Sequence, residues 1–199
     1  MVPIGKFLGE PREKFLRGYF GIGVEGVSKP MNVGSLFRSA HAFGASFVFT
    51  IAAAYKREEG NLADTSNAAA NIPFYEFADV GELRLPRGCT LIGVELSPDA
   101  VELHSFRHPH CAAYVLGPER GNLSPQLTRL CTHVVKIPTR FSINLALAGA
   151  IVMYDRLLSL GRFPGRPVAP GGPLVMPPKH TFAPPKLRRR PARTPTPGD

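Results

Sequence analysis

Three short stretches of the chain concentrate polar side chains that could bind a ligand, at residues 32–40, 114–125 and 134–146. Their candidate functional residues are Asn32, Arg38, Glu119, Ser142 and Asn144. In the second stretch an apolar run leads into a turn between two glycines, and this turn carries the acid. Because the ligands of parallel sheets gather outside the carboxyl ends of the strands, that turn is a candidate binding site.

Each stretch taken alone also has a simpler structural explanation. Asn32 could cap a helix while Arg38 stays solvated, and the turn at Glu119 could be an ordinary connection from a strand to a helix. Small polar residues such as Ser142 and Asn144 are common caps at a helix start. Only the combination of the three stretches indicates a shared site.

Alternating strands and helices are predicted from the apolar pattern, and they would position these stretches. Strands are expected at 19–24, 47–51, 72–77, 90–94, 111–116 and 133–137, and helices at 32–43, 79–85, 124–130 and 143–160. Ser124 is expected to cap the third helix, and Gly161 to end the last one. This order predicts an α/β fold, a mainly parallel sheet flanked by helices.

In order and spacing, the three stretches resemble the motifs of the SpoU/TrmH group of RNA methyltransferases, which belongs to the SPOUT superfamily. Those motifs read N-x-G-x-x-x-R-x-A, then G-x-E-x-x-G-L-S, then I-P followed by S-L-N. The resemblance covers about residues 19–160. Two departures occur: only three residues separate Pro138 from Ser142, about half the usual number, and Asn122 adds a residue to the second motif.

The resemblance implies an enzyme that transfers a methyl group from S-adenosylmethionine to a ribose 2'-hydroxyl of tRNA or rRNA. It also implies a trefoil knot in the C-terminal part of the fold, and a homodimer with its sites at or near the subunit interface. Two alternatives belong to other classes. One is a noncatalytic RNA-binding module on the same scaffold, and the other is a nicotinamide-dependent oxidoreductase.

Residue roles follow from the resemblance by position. Arg38 would be catalytic, holding the nucleotide phosphate and stabilising the developing alkoxide, because a guanidinium is almost never deprotonated in a protein. Asn32 would orient Arg38 or the ribose, Glu119 would hold Asn32 or Arg38, and Ser142 and Asn144 would line the site. The cofactor would be held near Val94, Glu95, Gly117, Ile137 and Ser142, with Glu95 accepting hydrogen bonds from its ribose hydroxyls.

The run Gly21–Gly26 matches the G-x-G-x-x-G pattern of dinucleotide-binding folds. That motif requires the glycines to end a strand and open a helix, but Pro30 follows closely and the helical pattern starts only near Asn32. The next strand, 47–51, ends in three alanines with no acid to hold a ribose. We therefore interpret the match as chance and expect the glycines to mark a bulge or a close backbone approach within a strand.

His104, His108, His110 and Cys111 form the only cluster suggestive of a metal, and Pro109 interrupts it. We interpret the histidines as surface-loop residues and predict no metal. The three cysteines, Cys89, Cys111 and Cys131, have no disulfide or metal spacing, so we interpret them as small apolar residues.

The net charge of +9 is concentrated at the C-terminus. Residues 161–199 contain eight basic residues and eleven prolines against one acid, which predicts an irregular basic tail after a methyltransferase domain at 1–160. Such a tail is either a solvated appendage or a nonspecific phosphate-binding element. No apolar run is long enough to span a membrane and no secretory signal is evident, so we expect a cytoplasmic protein.

Overall fold

The computed structural model describes residues 18–54, 72–161, 163, 166–167 and 170–172. Its strands are β1 Tyr19–Glu25, β2 Phe47–Ile51, β3 Phe74–Phe77, β4 Thr90–Val94, β5 Val101–Glu102, β6 Cys111–Leu116 and β7 His133–Lys136. Its α-helices are α1 Pro30–Phe43, α2 Pro125–Leu130 and α3 Leu145–Leu160. Short 3-10 turns lie at Val80–Glu82 and Leu103–Ser105.

The described strands form one sheet in the order β3-β2-β1-β6-β4-β7-β5, and all of their pairings are parallel. The predicted α/β fold with a parallel sheet flanked by helices is therefore confirmed. β7, late in the chain, lies between the earlier strands β4 and β5. This order is compatible with threading of the C-terminal segment, and the trefoil knot itself stays a prediction.

The strand register brings the ends of distant strands together at one edge of the sheet. Leu116 at the end of β6 pairs with both Val24 of β1 and Val94 of β4, and Val94 also pairs with Val135 of β7. Because the strands are parallel, the loops that follow them leave the sheet on the same side. These loops contain the second and third polar stretches and lead into α1.

Helices α1 and α3 pack together on one face of the sheet, above a core that includes Ile22, Leu36 and Met153. Gly149 permits this contact, since an added Cβ would collide with Leu36. On the other face a second core contains Phe49 of β2 and Leu127 of α2. The sheet is thus covered on both faces, as a parallel sheet requires.

The glycines of β1 allow close packing within the sheet and do not form a nucleotide-binding turn. A Cβ at Gly21 would meet the ring of Phe47, and a Cβ at Gly23 would meet Phe49. Both glycines lie inside the strand, and at Gly23 the backbone carbonyl of Phe49 also comes close, which agrees with the close approach expected there.

The structure differs from the predicted elements at several points. Residues 79–85 contain only the 3-10 turn Val80–Glu82, because the Asp79 carboxylate accepts hydrogen bonds from the N–H groups of Gly81 and Glu82 and caps a single turn. The two-residue strand β5 was not predicted, since it is too short for a periodic pattern. Helix α3 begins two residues later than predicted, at Leu145. The polar stretch 56–71 lies outside the described residues.

The interpretation of the histidines as surface-loop residues is wrong for His108. This ring is buried, with Nδ1 at 2.6 Å from the Tyr114 hydroxyl and Nε2 at 2.9 Å from Asp155. The buried Arg156 joins the same cluster, donating to the Tyr114 hydroxyl and to the carbonyl of Pro109. No group of three or more His, Cys, Asp or Glu placed to hold a metal occurs within the described ranges.

Cys89 and Cys111 lie side by side, with 3.1 Å between their Sγ atoms. The neighbouring register of β4 and β6 causes this approach, since Thr90 pairs with Ala112. Both are free thiols, and burial raises the pKa of Cys89 to about 12. The spacing of the cysteines in the sequence gave no sign of this contact.

The chain divides into two compact units, residues 1–163 and 164–199. Within the part of the chain that the structure describes, none of the helices has the length and apolar character needed to cross a membrane.

Candidate functional site

A pocket of about 380 Å³ opens at the carboxyl edge of the sheet, where the loops after β4, β6 and β7 meet the start of α1. The first helix and the β4 end contribute Lys29, Asn32, Val94, Glu95 and Leu96 to its lining. The β6 loop contributes Leu116, Gly117, Pro118, Glu119 and Gly121. The β7 loop and α3 contribute Ile137, Thr139, Ser142, Ile143, Asn144, Leu145 and Ala148.

Eight of the nine residues predicted for the site line this pocket. All five residues predicted to hold the cofactor line the pocket, namely Val94, Glu95, Gly117, Ile137 and Ser142. Four of the five predicted catalytic residues also line it, namely Asn32, Glu119, Ser142 and Asn144. Arg38 is the exception. It lies on an exposed part of α1, outside the lining of this pocket.

A chain of hydrogen bonds links Asn144, Asn32 and Glu119. The backbone N–H of Ala146 donates to Asn144 Oδ1 over 2.8 Å, which leaves Asn144 Nδ2 to donate to Asn32 Oδ1 over 3.0 Å. Asn32 Nδ2 then donates to Glu119 Oε1 over 2.9 Å. Because a backbone N–H can only donate, the orientation of both amides is fixed by their partners.

Asn32 is not the cap of α1. The helix starts after Lys29, and Asn32 lies within its first turn, where its side chain reaches across to Glu119 and Asn144. Asn144, in contrast, does cap α3. The simple explanation of Asn32 as a helix cap is therefore excluded. The explanation of Asn144 as a cap is correct, but its side chain also binds Asn32 at the pocket.

Glu119 accepts four hydrogen bonds, two on each carboxylate oxygen. Oε2 accepts from the N–H and the hydroxyl of Ser28, and Oε1 accepts from the N–H of Lys29 and from Asn32. Partial burial opposes ionisation, but these donors outweigh it and lower the pKa of Glu119. Glu119 is thus an ionised group that fixes the start of α1, and its lone pairs are already occupied.

Two further carboxylates hold the β6 loop in place. Glu95 Oε2 accepts from the N–H of Leu123 over 2.9 Å, while its Oε1 accepts from the N–H of Leu96. The buried Glu25 accepts from the N–H of Ser124 over 2.8 Å. Glu95 therefore supports the loop as well as lining the pocket, a role the sequence did not indicate.

Sequence reasoning missed Glu25, Ser28, Lys29 and Thr139. Lys29 and Thr139 line the pocket, whereas Glu25 and Ser28 bind the loops that form it. A buried acid at the end of an apolar strand was the available signal for Glu25, since such an acid needs donors nearby. Ser28 and Lys29 each bind Glu119 through a backbone N–H group, which no pattern of side chains reveals.

The pocket combines an apolar wall with charged groups. Val94, Leu116, Ile137 and Leu145 provide apolar surface, and the lining also includes the charged residues Lys29, Glu95 and Glu119. Such a lining suits a small molecule with a flat apolar part and a polar or cationic part.

The sequence model of the SpoU rRNA methylase family matches residues 20–154, about two thirds of the chain. The chain belongs to the SpoU rRNA methylase family. This membership agrees with the resemblance carried by the three polar stretches, all of which fall within the matched residues.

Two relatives and one solved structure illustrate the similarity. The mouse (Mus musculus) protein described as tRNA (guanosine(18)-2'-O)-methyltransferase TARBP1 is 25% identical over 138 residues, which is 65% of this chain and 9% of that protein. An Archaeoglobus fulgidus protein described as an uncharacterized tRNA/rRNA methyltransferase is 29% identical over 144 residues, or 69% of this chain and 63% of that protein. The chain thus spans less than two thirds of the length of these relatives.

The SpoU methyltransferase AviRb from Streptomyces viridochromogenes, crystallised in complex with AdoMet, has a similar fold. Its TM-score is 0.63 at 24% identity, and the alignment covers 70% of this chain and 57% of that one. At this identity the similarity establishes the fold of the SpoU family member described here.

Proposed function

We propose that this SpoU family member transfers a methyl group from S-adenosylmethionine to a ribose 2'-hydroxyl of tRNA or rRNA. One observation carries the proposal: three stretches far apart in the sequence build a single pocket and are joined there by the hydrogen bonds of Asn32, Glu119 and Asn144. The naming of the mouse relative as a 2'-O-methyltransferase supports the choice of the ribose.

The pocket suits S-adenosylmethionine in size and in chemistry. Its volume of about 380 Å³ is that of a small-molecule site, and its apolar wall of Val94, Leu116 and Ile137 suits the adenine. The negative charges of Glu95 and Glu119 suit a cationic sulfonium. When bound, the cofactor supplies an electrophilic methyl group whose departure leaves an uncharged thioether.

The residues of the chain must align the ribose hydroxyl with that methyl group and stabilise the negative charge that develops on its oxygen. We assign the second task to the guanidinium of Arg38, which would also hold the phosphate of the nucleotide. Arg38 is not assigned the role of the base, because a guanidinium is almost never deprotonated in a protein. The proton of the hydroxyl leaves to solvent late in the transfer.

Glu119 is a positioning residue in this scheme and not the general base. Its two oxygens already accept four hydrogen bonds, and a lowered pKa makes the carboxylate a weak proton acceptor. Its part is to hold Asn32, which in turn is held by Asn144. The side chains of Asn32 and Asn144 are thereby fixed at the pocket wall before a substrate binds.

We further propose a homodimer in which Arg38 acts in the pocket of a second copy. Arg38 is exposed and lies outside the lining of the pocket in its own chain. Helix α3 presents an exposed apolar stripe at Leu147, Ile151 and Tyr154, with the spacing of one helix face. Leu147 is 61% exposed and adjoins Ala148 of the pocket wall, so a second copy covering the stripe would border the pocket.

The same proposal assigns the methyltransferase domain to residues 1–160 and treats the basic, proline-rich residues 161–199 as a tail that attracts RNA phosphates. The enzyme would work in the cytoplasm, where tRNA and rRNA are its available substrates.

The proposal is tested by calorimetric titration with S-adenosylmethionine, followed by incubation with unmodified tRNA or rRNA and mass spectrometry of the digested nucleosides. Arg38→Ala should abolish formation of 2'-O-methylnucleosides while cofactor affinity stays within about twofold, because a residue acting on the ribose contributes to the transition state and not to cofactor binding. An equal loss of both would contradict the role of Arg38. A wild-type protein that binds RNA but shows no heat with the cofactor would favour the noncatalytic alternative.

A further inference from the structure

Phe141 is an exposed aromatic residue in a loop that borders the pocket. Its side chain is 74% exposed, although a phenyl ring is ordinarily among the more buried side chains. It belongs to the short β7–α3 loop, between Thr139 and Ser142, which both line the pocket. Only three residues separate Pro138 from Ser142 in this loop, and Phe141 is the last of them.

The loop that carries Phe141 is held at both ends. At its start the N–H of Thr139 donates to the carbonyl of Ile137 over 2.7 Å. At its end Asn144 caps α3 and donates to Asn32. The backbone on both sides of the exposed ring is therefore restrained by hydrogen bonds. This restraint limits the conformational entropy that the loop would lose when the ring binds a ligand.

Exposed cations lie in the loops that form the pocket. Arg140 precedes Phe141, Arg120 lies in the β6 loop between the lining residues Glu119 and Gly121, and Lys29 lines the pocket itself. The acids at this site, Glu95 and Glu119, are engaged by backbone N–H groups. An exposed aromatic ring among cations is the combination that binds unpaired nucleotides, in which the base stacks on the ring and the phosphates meet the charges.

We propose that Phe141 is a stacking platform for an unpaired base of the RNA, next to the nucleotide whose ribose enters the pocket, and that Arg140 binds the adjoining phosphate. This inference rests on the proposed function and refines it. It makes single-stranded RNA, such as a loop, the substrate class, because the bases of a duplex stay stacked on one another and are not available to the ring.

The test compares the binding of a single-stranded ten-nucleotide oligoadenylate and of a ten-base-pair RNA duplex to the full-length chain by fluorescence anisotropy. Phe141→Ala and Phe141→Leu should each weaken single-strand binding about tenfold, and Phe141→Trp should restore it, since stacking needs an aromatic ring. Tyr75→Ala is the matched control, since Tyr75 is 51% exposed on β3 but outside the pocket lining. Duplex binding should be the same in all variants.

The salt dependence separates the two assigned contacts. Phe141→Ala should leave the slope of log affinity against log salt unchanged, whereas Arg140→Ala should reduce it by about one phosphate contact. Single-strand binding by Phe141→Ala equal to wild type would overturn the proposal. So would a change in its sedimentation, which would show that a second copy covers the ring.

Failure of this inference is distinct from failure of the proposed function. If wild type methylates RNA while Phe141→Ala binds single strands normally, only the stacking role is lost. If wild type neither binds the cofactor nor transfers a methyl group, the methyltransferase proposal itself fails, and the stacking proposal falls with it.

Discussion

Asn144 Nδ2 donates to Asn32 Oδ1 over 3.0 Å, a contact between two residues 112 positions apart in the chain. It joins the start of α3 to the first turn of α1 at the wall of the pocket. The same side chain caps α3 through Oδ1. The stability of α3 and the geometry of the pocket wall therefore both depend on the side-chain amide of Asn144.

Asn144→Ala should lower the free energy of unfolding by about 1–2 kcal/mol, because it removes a helix cap and a hydrogen bond to Asn32. Urea denaturation measures this loss. Methyl transfer should fall at least tenfold at saturating cofactor. The control is Asp79→Ala, which removes the cap of a 3-10 turn outside the pocket lining and should leave transfer unchanged. Equal activity in the two variants would contradict the role of Asn144.

Glu119→Gln should destabilise the protein by about 1–2 kcal/mol at neutral pH, since the amide nitrogen, at either oxygen's position, would face at least one N–H group that can only donate. The pKa of Glu119 is lower in the folded protein than in the unfolded chain. Its contribution is therefore fully present above the ordinary carboxyl pKa and is lost as the pH falls through the lowered value. The difference in stability between wild type and Glu119→Gln should shrink accordingly in an acid titration.

Glu102→Gln serves as the control for that titration. Glu102 is exposed and contacts His104 over 3.5 Å, a surface pair of little energetic consequence. If Glu102→Gln lost as much stability as Glu119→Gln, the claim that the hydrogen bonds of Glu119 stabilise the fold would be contradicted.

His108 should make the protein less stable as the pH falls below neutrality. Burial lowers the pKa of His108 beneath its ordinary value, although Asp155 opposes the shift. The unfolded chain then binds a proton before the folded protein does, so stability is full above the ordinary pKa and declines as the pH falls toward the lowered one. Thermal melting between pH 8 and pH 5 in wild type and His108→Gln measures the effect, which should be smaller in the variant. His104→Gln, at an exposed position, should retain the wild-type profile.

The exposed stripe of α3 should control the oligomeric state. Ile151→Asp combined with Leu147→Asp should convert a dimer to a monomer in sedimentation velocity, since each places a charge in an apolar interface. Methyl transfer should be lost if Arg38 acts across the interface, while cofactor binding persists. Leu130→Asp changes an equally exposed leucine on α2 and should leave the dimer intact. A wild-type monomer that is fully active would refute this arrangement.

The sequence by itself determined the order of most elements and eight of the residues that line the pocket. Buried strands such as Phe47–Ile51 and Cys111–Leu116 are continuous apolar runs, and Gly44, Ser124 and Pro125 mark helix ends with specific backbone requirements. These signals are local, so each element can be predicted from its own residues without knowing what it packs against. The pocket residues were identified because their three stretches keep a fixed order and spacing.

Tertiary structure alone decided which of those residues meet. The parallel register places the loops after β4, β6 and β7 at one edge, and only there does Glu119 find Ser28 and Asn32. Likewise, the burial of His108 depends on Asp155, 47 residues away. Arg38 has the helical position the pattern predicted but lies outside the pocket of its own chain, because the direction of a side chain follows from the packing of its helix and not from its spacing in the sequence.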